Sequence, residues 1–170
     1  MAIAVHVGNG NPYIRNLVGQ RVGFGTGFVP FQLPMIGAFH SMITSGLPFE
    51  FPELRFVFLE VSSQWIPWVV KDIQRRGVGN ALAPGVEQSV AGKISQLIQD
   101  PPEMLKQLRL YVAAYTTDDL GYIMSYAGED TLVIGTDYGH NDVTSDVEAM
   151  QILKDTGKVE PRIIDKILYD

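Results

Sequence analysis

Apolar residues fall along this chain in two rhythms. Short unbroken runs rich in Val, Ile, Leu and Phe predict four strands, at Ala2–Val7, Arg55–Glu60, Leu108–Ala114 and Thr131–Thr136. Between them the apolar positions recur at helical spacing. Met35, Phe39, Met42 and Ile43 predict a helix over Pro34–Ser45, ended by Gly46 and Pro48. Trp65, Ile66, Val69, Val70 and Ile73 mark a second stripe, which Ser62 or Ser63 can cap and Arg75-Arg76-Gly77 closes. Val86, Val90, Ile94, Leu97 and Ile98 define a third, halted by Asp100-Pro101-Pro102, and Glu103–Gln107 reads as a short helix. Thr117-Asp118-Asp119 opens the next, with Leu120, Ile123, Met124 and Ala127 inward and Gly128 at its end. Ser145-Asp146-Val147-Glu148 has the S-x-x-E pattern of a capping box, starting a helix to Asp155, and Glu160-Pro161 starts the last, Arg162–Tyr169. Trp65 and Trp68, three apart, read as core packing.

Strand and helix therefore alternate four times. Successive strands start about 53, 53 and 23 residues apart, long enough for helical crossovers, so the sheet is expected to be parallel. The near-continuous apolar run at Arg55–Glu60 predicts a strand covered on both faces. The chain of 170 residues suits a single domain with a sizeable core.

Composition narrows the chemistry. The net charge is −6 and the thirteen Lys and Arg residues are dispersed, so no basic face is available for nucleic acid or an anionic membrane. Cysteine is absent, which removes disulfides and thiolate chemistry and leaves histidine and carboxylate as the metal-binding side chains. The longest apolar stretch, Phe56–Val70, is broken by Glu60, Ser62, Ser63, Gln64 and Pro67, so no membrane span is expected. The N-terminus lacks a basic segment leading into an apolar one, and a cytoplasmic location is the expectation.

Three of the strands end in a donor group: His6, Glu60 and Asp137. Parallel strands deliver their C-terminal ends to one side, so all three can converge there. An imidazole with two carboxylates suits Zn²⁺ or Mn²⁺ and leaves positions open for water and substrate. Each also has a plainer reading. His6 can be a hydrogen-bonded structural residue, Glu60 the partner of Arg55 or of an arginine of the next helix, and Asp137 the acceptor of an Asx-type turn. His140, in the polar run Asp137–Asp142, can serve as acid or base or hold Asp137 in place. His40 sits in an apolar helical setting and reads as structural. Gly23–Gly27 is rich in glycine but lacks the G-x-G-x-x-G spacing of a dinucleotide loop. Tyr111 and Tyr115 can face either a site or the sheet.

Four stretches, AIAVHVG (Ala2–Gly8), FPELRFVFLEVSSQWIP (Phe51–Pro67), LYVAAYTTDDL (Leu110–Leu120) and GEDTLVIGTDYGHND (Gly128–Asp142), carry a resemblance. Together they resemble the amidohydrolase-related family, the metal-dependent (β/α)8 barrels that include aromatic and amino-carboxymuconate-type decarboxylases. The resemblance implies an α/β fold made of the C-terminal half of a TIM-type barrel, four parallel strands with flanking helices. It matches His6 to the fifth-strand metal-binding histidine and Asp137 to the eighth-strand aspartate that binds or neighbours the metal and handles protons. Glu60 stands where many members have a sixth-strand histidine, so it is a candidate ligand or substrate-orienting group. The expected cofactor is a divalent metal, Zn or Mn.

No first-strand His-x-His is present, and a whole barrel needs roughly 200 residues or more. The expectation is thus a single partial barrel domain over residues 1–170, strands five to eight of the parent fold. Such a half exposes two sheet edges and an apolar inner face. Self-association, a partner supplying the other half, or an incomplete gene product would each follow. The implied activity is hydrolysis of a C–N or C–O bond, or non-oxidative decarboxylation, on a small carboxylated, amide or ester substrate. Asp137 and His140 would then be the catalytic residues, and a catalytically silent half-barrel subunit or scaffold is the alternative.

Overall fold

The computed structural model describes residues 1–8, 12, 13, 16, 28–77, 90–140, 145–157 and 159–169. The glycine-rich loop at 23–27, residues 78–89 (with the predicted helix start at Val86) and the pair Asn141-Asp142 lie outside that set.

Four strands, β1 (Ala2–His6), β2 (Arg55–Leu59), β3 (Leu110–Ala114) and β4 (Leu132–Ile134), pair in chain order, all parallel. Helix α1 (Leu33–Ser45) and the short α2 (Leu47–Glu50) precede β2, and α3 (Ile66–Gly77), α4 (Val90–Leu97) and α5 (Pro101–Leu108) link β2 to β3. Helix α6 (Leu120–Ala127) links β3 to β4, and α7 (Ala149–Asp155) and α8 (Pro161–Tyr169) complete the array. Parallel neighbours need such crossovers, and the helices they contain cover the sheet. Among the described residues no helix is long and apolar enough to cross a membrane.

The register decides which face is dry. Ile3, Phe56 and Leu110 align across three strands, and so do Val5, Phe58, Val112 and Leu132 across four. This row meets the helices: Phe58 is fully buried, with its ring edge-on to Phe39 of α1 at 5.2 Å. Such a pair adds to area burial through the favourable edge-to-face quadrupole arrangement. Ala4, Val57 and Tyr111 point to the other face, where Ala2, Ala4, His6 and Arg55 are exposed and Val57, Leu59 and Tyr111 half-buried. Expectation and structure differ here. The apolar run at Arg55–Glu60 predicts cover on both faces, yet among the described residues helices cover one.

Several ends also differ from the reading of the sequence. Leu108 closes α5, and Arg109 turns the chain with φ of 54° before β3 begins at Leu110. Its guanidinium donates to the carbonyls of Leu54, Gln107 and Pro48, tying the lead-in of β2 to that of β3. Asp100, which halts the preceding helix, caps α5 by accepting from the Glu103 amide. The capping box does not form. Helix α7 starts at Ala149 and Glu148 makes no side-chain cap, because Asp146 takes the Glu148 amide and the Thr116 hydroxyl instead. Trp68 is 65% exposed and is not core, whereas Trp65 packs edge-on against Phe39 at 4.8 Å.

Two positions carry testable consequences. Gly46 joins α1 to α2 at φ of 71°, and a Cβ there would overlap the Val90 side chain. Gly46→Ala therefore combines left-handed strain with overpacking and should lower unfolding free energy by about 2–4 kcal/mol in a urea titration. At the start of β4, Asp130 is paired with Lys106 (2.8 Å) and Lys166, while Arg162 grips both Glu129 oxygens. The Lys106 and Lys166 ammonium groups hold the Asp130 carboxyl below the usual range. A depressed carboxyl stabilises the fold above its unfolded pKa, and that stability is lost as pH falls through the folded value. Asp130→Asn should therefore flatten the fall in melting temperature on acidification. The effect is small, under about 1 kcal/mol, because the pair is near the surface.

Candidate metal centre at the C-terminal rim of the sheet

The last residues of the four strands lie along one rim, and the polar groups beyond them meet there. His6 ends β1 beside Leu59, its partner in register, so Glu60 follows immediately next to it. His6 Nδ1 donates to the Val7 carbonyl at 2.7 Å and Nε2 lies 2.8 Å from Glu60 Oε1. Glu60 is in turn hydrogen-bonded to the Asp137 carboxyl. His140 Nδ1 sits 2.9 and 3.0 Å from the two Asp137 oxygens. A continuous line of hydrogen bonds thus runs from β1 to the loop after β4: His6, Glu60, Asp137, His140.

Local backbone explains how the carboxylates reach inward. Glu60 and Asp137 both have left-handed backbones, with φ of 58° and 49°. That conformation turns the chain sharply at the strand end and is rare for residues with a Cβ, costing about 1 kcal/mol or more each. Asp137 also opens a turn closed by the His140 amide on its carbonyl at 3.2 Å, with Gly139 supplying the φ of 102° that the third position requires. The turn folds His140 back over the carboxylate that precedes it.

The electrostatics follow from two acids placed together. Burial, and then the hydrogen bond with Asp137, hold the Glu60 carboxyl above the usual range, against the opposing pull of His6. The Val7 carbonyl raises His6 above the ordinary imidazole value, with Glu60 and Asp137 adding to it and partial burial opposing. Two carboxyls placed this close oppose each other's ionisation, and Glu60 carries that cost. A cation placed there would remove that penalty.

Donor atoms of Glu60, Asp137 and His140 all lie within 4.8 Å of one another. This donor set, two carboxylates and an imidazole, fits a borderline or hard divalent ion. Of the residues expected at the site, Glu60 and Asp137 fall inside the cluster and His140 joins them. His6 meets it through Glu60. Among the described residues Glu60 has no arginine partner, and its side chain meets His6 and Asp137 instead.

Beside the cluster is a hollow of about 150 Å³ walled by Leu59, Ala113, Tyr115 and Gly135, with His6, Glu60 and Asp137 as its polar edge. A second hollow of about 170 Å³, lined by Thr116, Thr117, Ser145 and Asp146, shares Tyr115 and Gly135 with the first. Tyr115 therefore belongs to the site, a point its sequence position leaves open.

One residue of this rim escapes the sequence reading altogether. Thr117-Asp118-Asp119 reads as a helix opening, and Asp119 does cap α6, accepting from the Tyr122 amide at 3.2 Å. Asp118 is instead 2% exposed and accepts four hydrogen bonds, three of them from Ser62 and Ser63. Those serines, expected to cap α3, are committed to Asp118. The available signal is the pair Ser62-Ser63 one residue beyond a strand-end acid, two hydroxyls in need of a common acceptor.

No protein-family profile matches the chain, and no curated protein does. Among solved structures, the chain is similar to an amidohydrolase from Mycobacterium avium subsp. paratuberculosis, at 20% sequence identity and a TM-score of 0.63. The match covers 96% of this chain and 39% of that one, so the chain spans well under half the length of the protein it resembles. At this identity the likeness is one of fold: four parallel strands with flanking helices, as in part of a TIM-type barrel.

Proposed function

We propose that this chain carries part of the active rim of a divalent-metal-dependent enzyme of the amidohydrolase-related type. The reaction is hydrolysis of a C–N or C–O bond, or non-oxidative decarboxylation of a small carboxylated substrate. The observation that carries the reading is the convergence of Glu60, Asp137 and His140 donors within 4.8 Å at the C-terminal rim of a parallel sheet. Glu60 and Asp137 are the proposed carboxylate ligands. His140 and His6 supply imidazole nitrogen, the latter by exchanging its bond to Glu60. Zn²⁺ and Mn²⁺ match these donors. Either ion, when bound, supplies Lewis acidity that activates water and polarises a carbonyl or carboxylate.

The chain's own groups do the remaining work. The Asp137 side chain is only 10% exposed and touches His140, which is 57% exposed. The Asp137 carboxylate can take the proton of the attacking water, hold it beside the His140 imidazole, and return it to the leaving amine or alkoxide as the C–N or C–O bond breaks. In the decarboxylation, the protonated Asp137 carboxyl delivers its proton to the carbon left by departing CO₂. Leu59, Ala113 and Tyr115 give the hollow a largely apolar wall that limits water beside the reacting group. The open sheet face and the edges of β1 and β4, unpaired among the described residues, support pairing with a second copy or a complementary half-barrel. A cytoplasmic setting belongs to the same reading.

One observation favours the catalytically silent alternative. Each of the four side chains already has a hydrogen-bond partner among the other three. Metal titration of the full chain separates the two readings. The enzyme reading expects saturable uptake of Zn²⁺ or Mn²⁺, weakened roughly 10-fold or more by Asp137→Ala and by His140→Ala. No uptake above background in the wild type, unchanged in both variants, would leave the silent scaffold standing.

A further inference from the structure

Asp118 is the only carboxylate among the described residues that is fully buried. Its Oδ2 accepts from the Ser63 amide and hydroxyl, both at 2.7 Å, and from the Tyr115 amide at 3.0 Å. Its Oδ1 accepts from the Ser62 hydroxyl at 2.7 Å. Four donors aimed at one carboxylate compensate the burial of its charge, and bonds of this kind are short and directional. What they join is specific. Ser62 and Ser63 belong to the loop that leaves β2, and Tyr115 to the loop that leaves β3.

The first loop needs such a tie. Glu60 and Ser62 both have left-handed backbones, with φ of 58° and 57°, around a fully buried Val61. Non-glycine residues keep that conformation where their surroundings over-determine it. Trp65 Nε1 contributes by donating to the carbonyls of Val61 and Ser62, and Asp118 supplies the rest. The Glu60 side chain starts two residues before the first of these serines. Tyr115, held by the same carboxylate, forms the facing wall of the hollow.

We propose that Asp118 is a positioning residue for the metal-binding rim. Its buried carboxylate fixes residues 60–63 so that Glu60 meets His6 and Asp137, and it sets Tyr115 across from them. The metal-binding part of this proposal rests on the function proposed above. The placement of Glu60 does not, and can be read without any ion.

The test uses the full chain and three variants. Asp118→Ala removes all four bonds. Asp118→Asn keeps an acceptor where Oδ2 stands and an amide that the Ser62 hydroxyl can accept from. Ile98→Ala, in the fully buried core, serves as a control for destabilisation alone. Two readouts are taken: Zn²⁺ titration, and the His6 ring ¹⁵N–¹H signals of the metal-free protein at fixed pH, which report its bond to Glu60. Asp118→Ala should weaken Zn²⁺ binding at least 10-fold and move the His6 signals towards those of a free imidazole. Asp118→Asn should recover most of both, and Ile98→Ala should move neither. If Asp118→Ala fails to fold, Ser63→Ala removes one side-chain bond and should shift the His6 signals in the same direction by a smaller amount. Should the wild type bind no Zn²⁺, the functional reading fails and the His6 signals alone decide. His6 signals that respond no more to loss of the Asp118 bonds than to Ile98→Ala would overturn the positioning role.

Discussion

Parallel pairing in chain order is the constraint from which the rest of this molecule follows. Each strand leaves the sheet on the same side, so the residues after β1, β2, β3 and β4 are neighbours although they are far apart in sequence. His6, Glu60, Tyr115 and Asp137 owe their proximity to that geometry and to the register that sets His6 beside Leu59. The opposite rim receives the chain on its way into the strands. There Arg109 ties three carbonyls together, and Glu129, Asp130, Lys106, Arg162 and Lys166 form a network of ion pairs. Groups that hold the sheet and groups suited to chemistry are thus segregated to its two ends, as in barrels of this architecture.

The two rims differ in their energetic character. On the entry rim opposite charges alternate, and Glu129 and Asp130 each have cations beside them. On the exit rim Glu60 and Asp137 are two acids set side by side, and both occupy a backbone conformation that side chains disfavour. Strain and crowded acids at one place are tolerable because they are compensated nearby. Asp118 and Trp65, outside the acidic cluster, and the turn from Asp137 to His140 within it provide that compensation. A rim arranged in this way trades stability for a set of donors that a cation would satisfy.

Much of this was legible in the sequence where one physical signal dominates. Four apolar runs separated by helical spacing gave the parallel sheet, and strand-end acids gave Glu60 and Asp137 as candidates. The features that were missed depend on tertiary competition. Ser145 and Glu148 have the spacing of a capping box, but Asp146 lies between them and finds Thr116 from another loop. Trp68 falls at a helical interval from Trp65, yet the helix rotates it to solvent while Trp65 meets Phe39. Asp118 and Asp119 are identical neighbours in sequence, and only the position of Ser62 and Ser63 in space separates a buried acceptor from a helix cap. The run at Arg55–Glu60 is apolar enough for two covered faces, and periodicity cannot say how many helices are there to cover it.

The open sheet face has one charged member, Arg55, aligned with Ala2 at the end away from His6. Around it the face is formed by Ala2, Ala4, Val57 and Tyr111, and no ion pair engages it among the described residues. A guanidinium keeps its proton under all ordinary conditions. Whatever comes to lie against that floor must bring oxygen atoms to Arg55 or preserve a wet passage to it, since a wholly greasy lid would strand a charge. One arginine therefore makes an otherwise permissive surface selective about its cover.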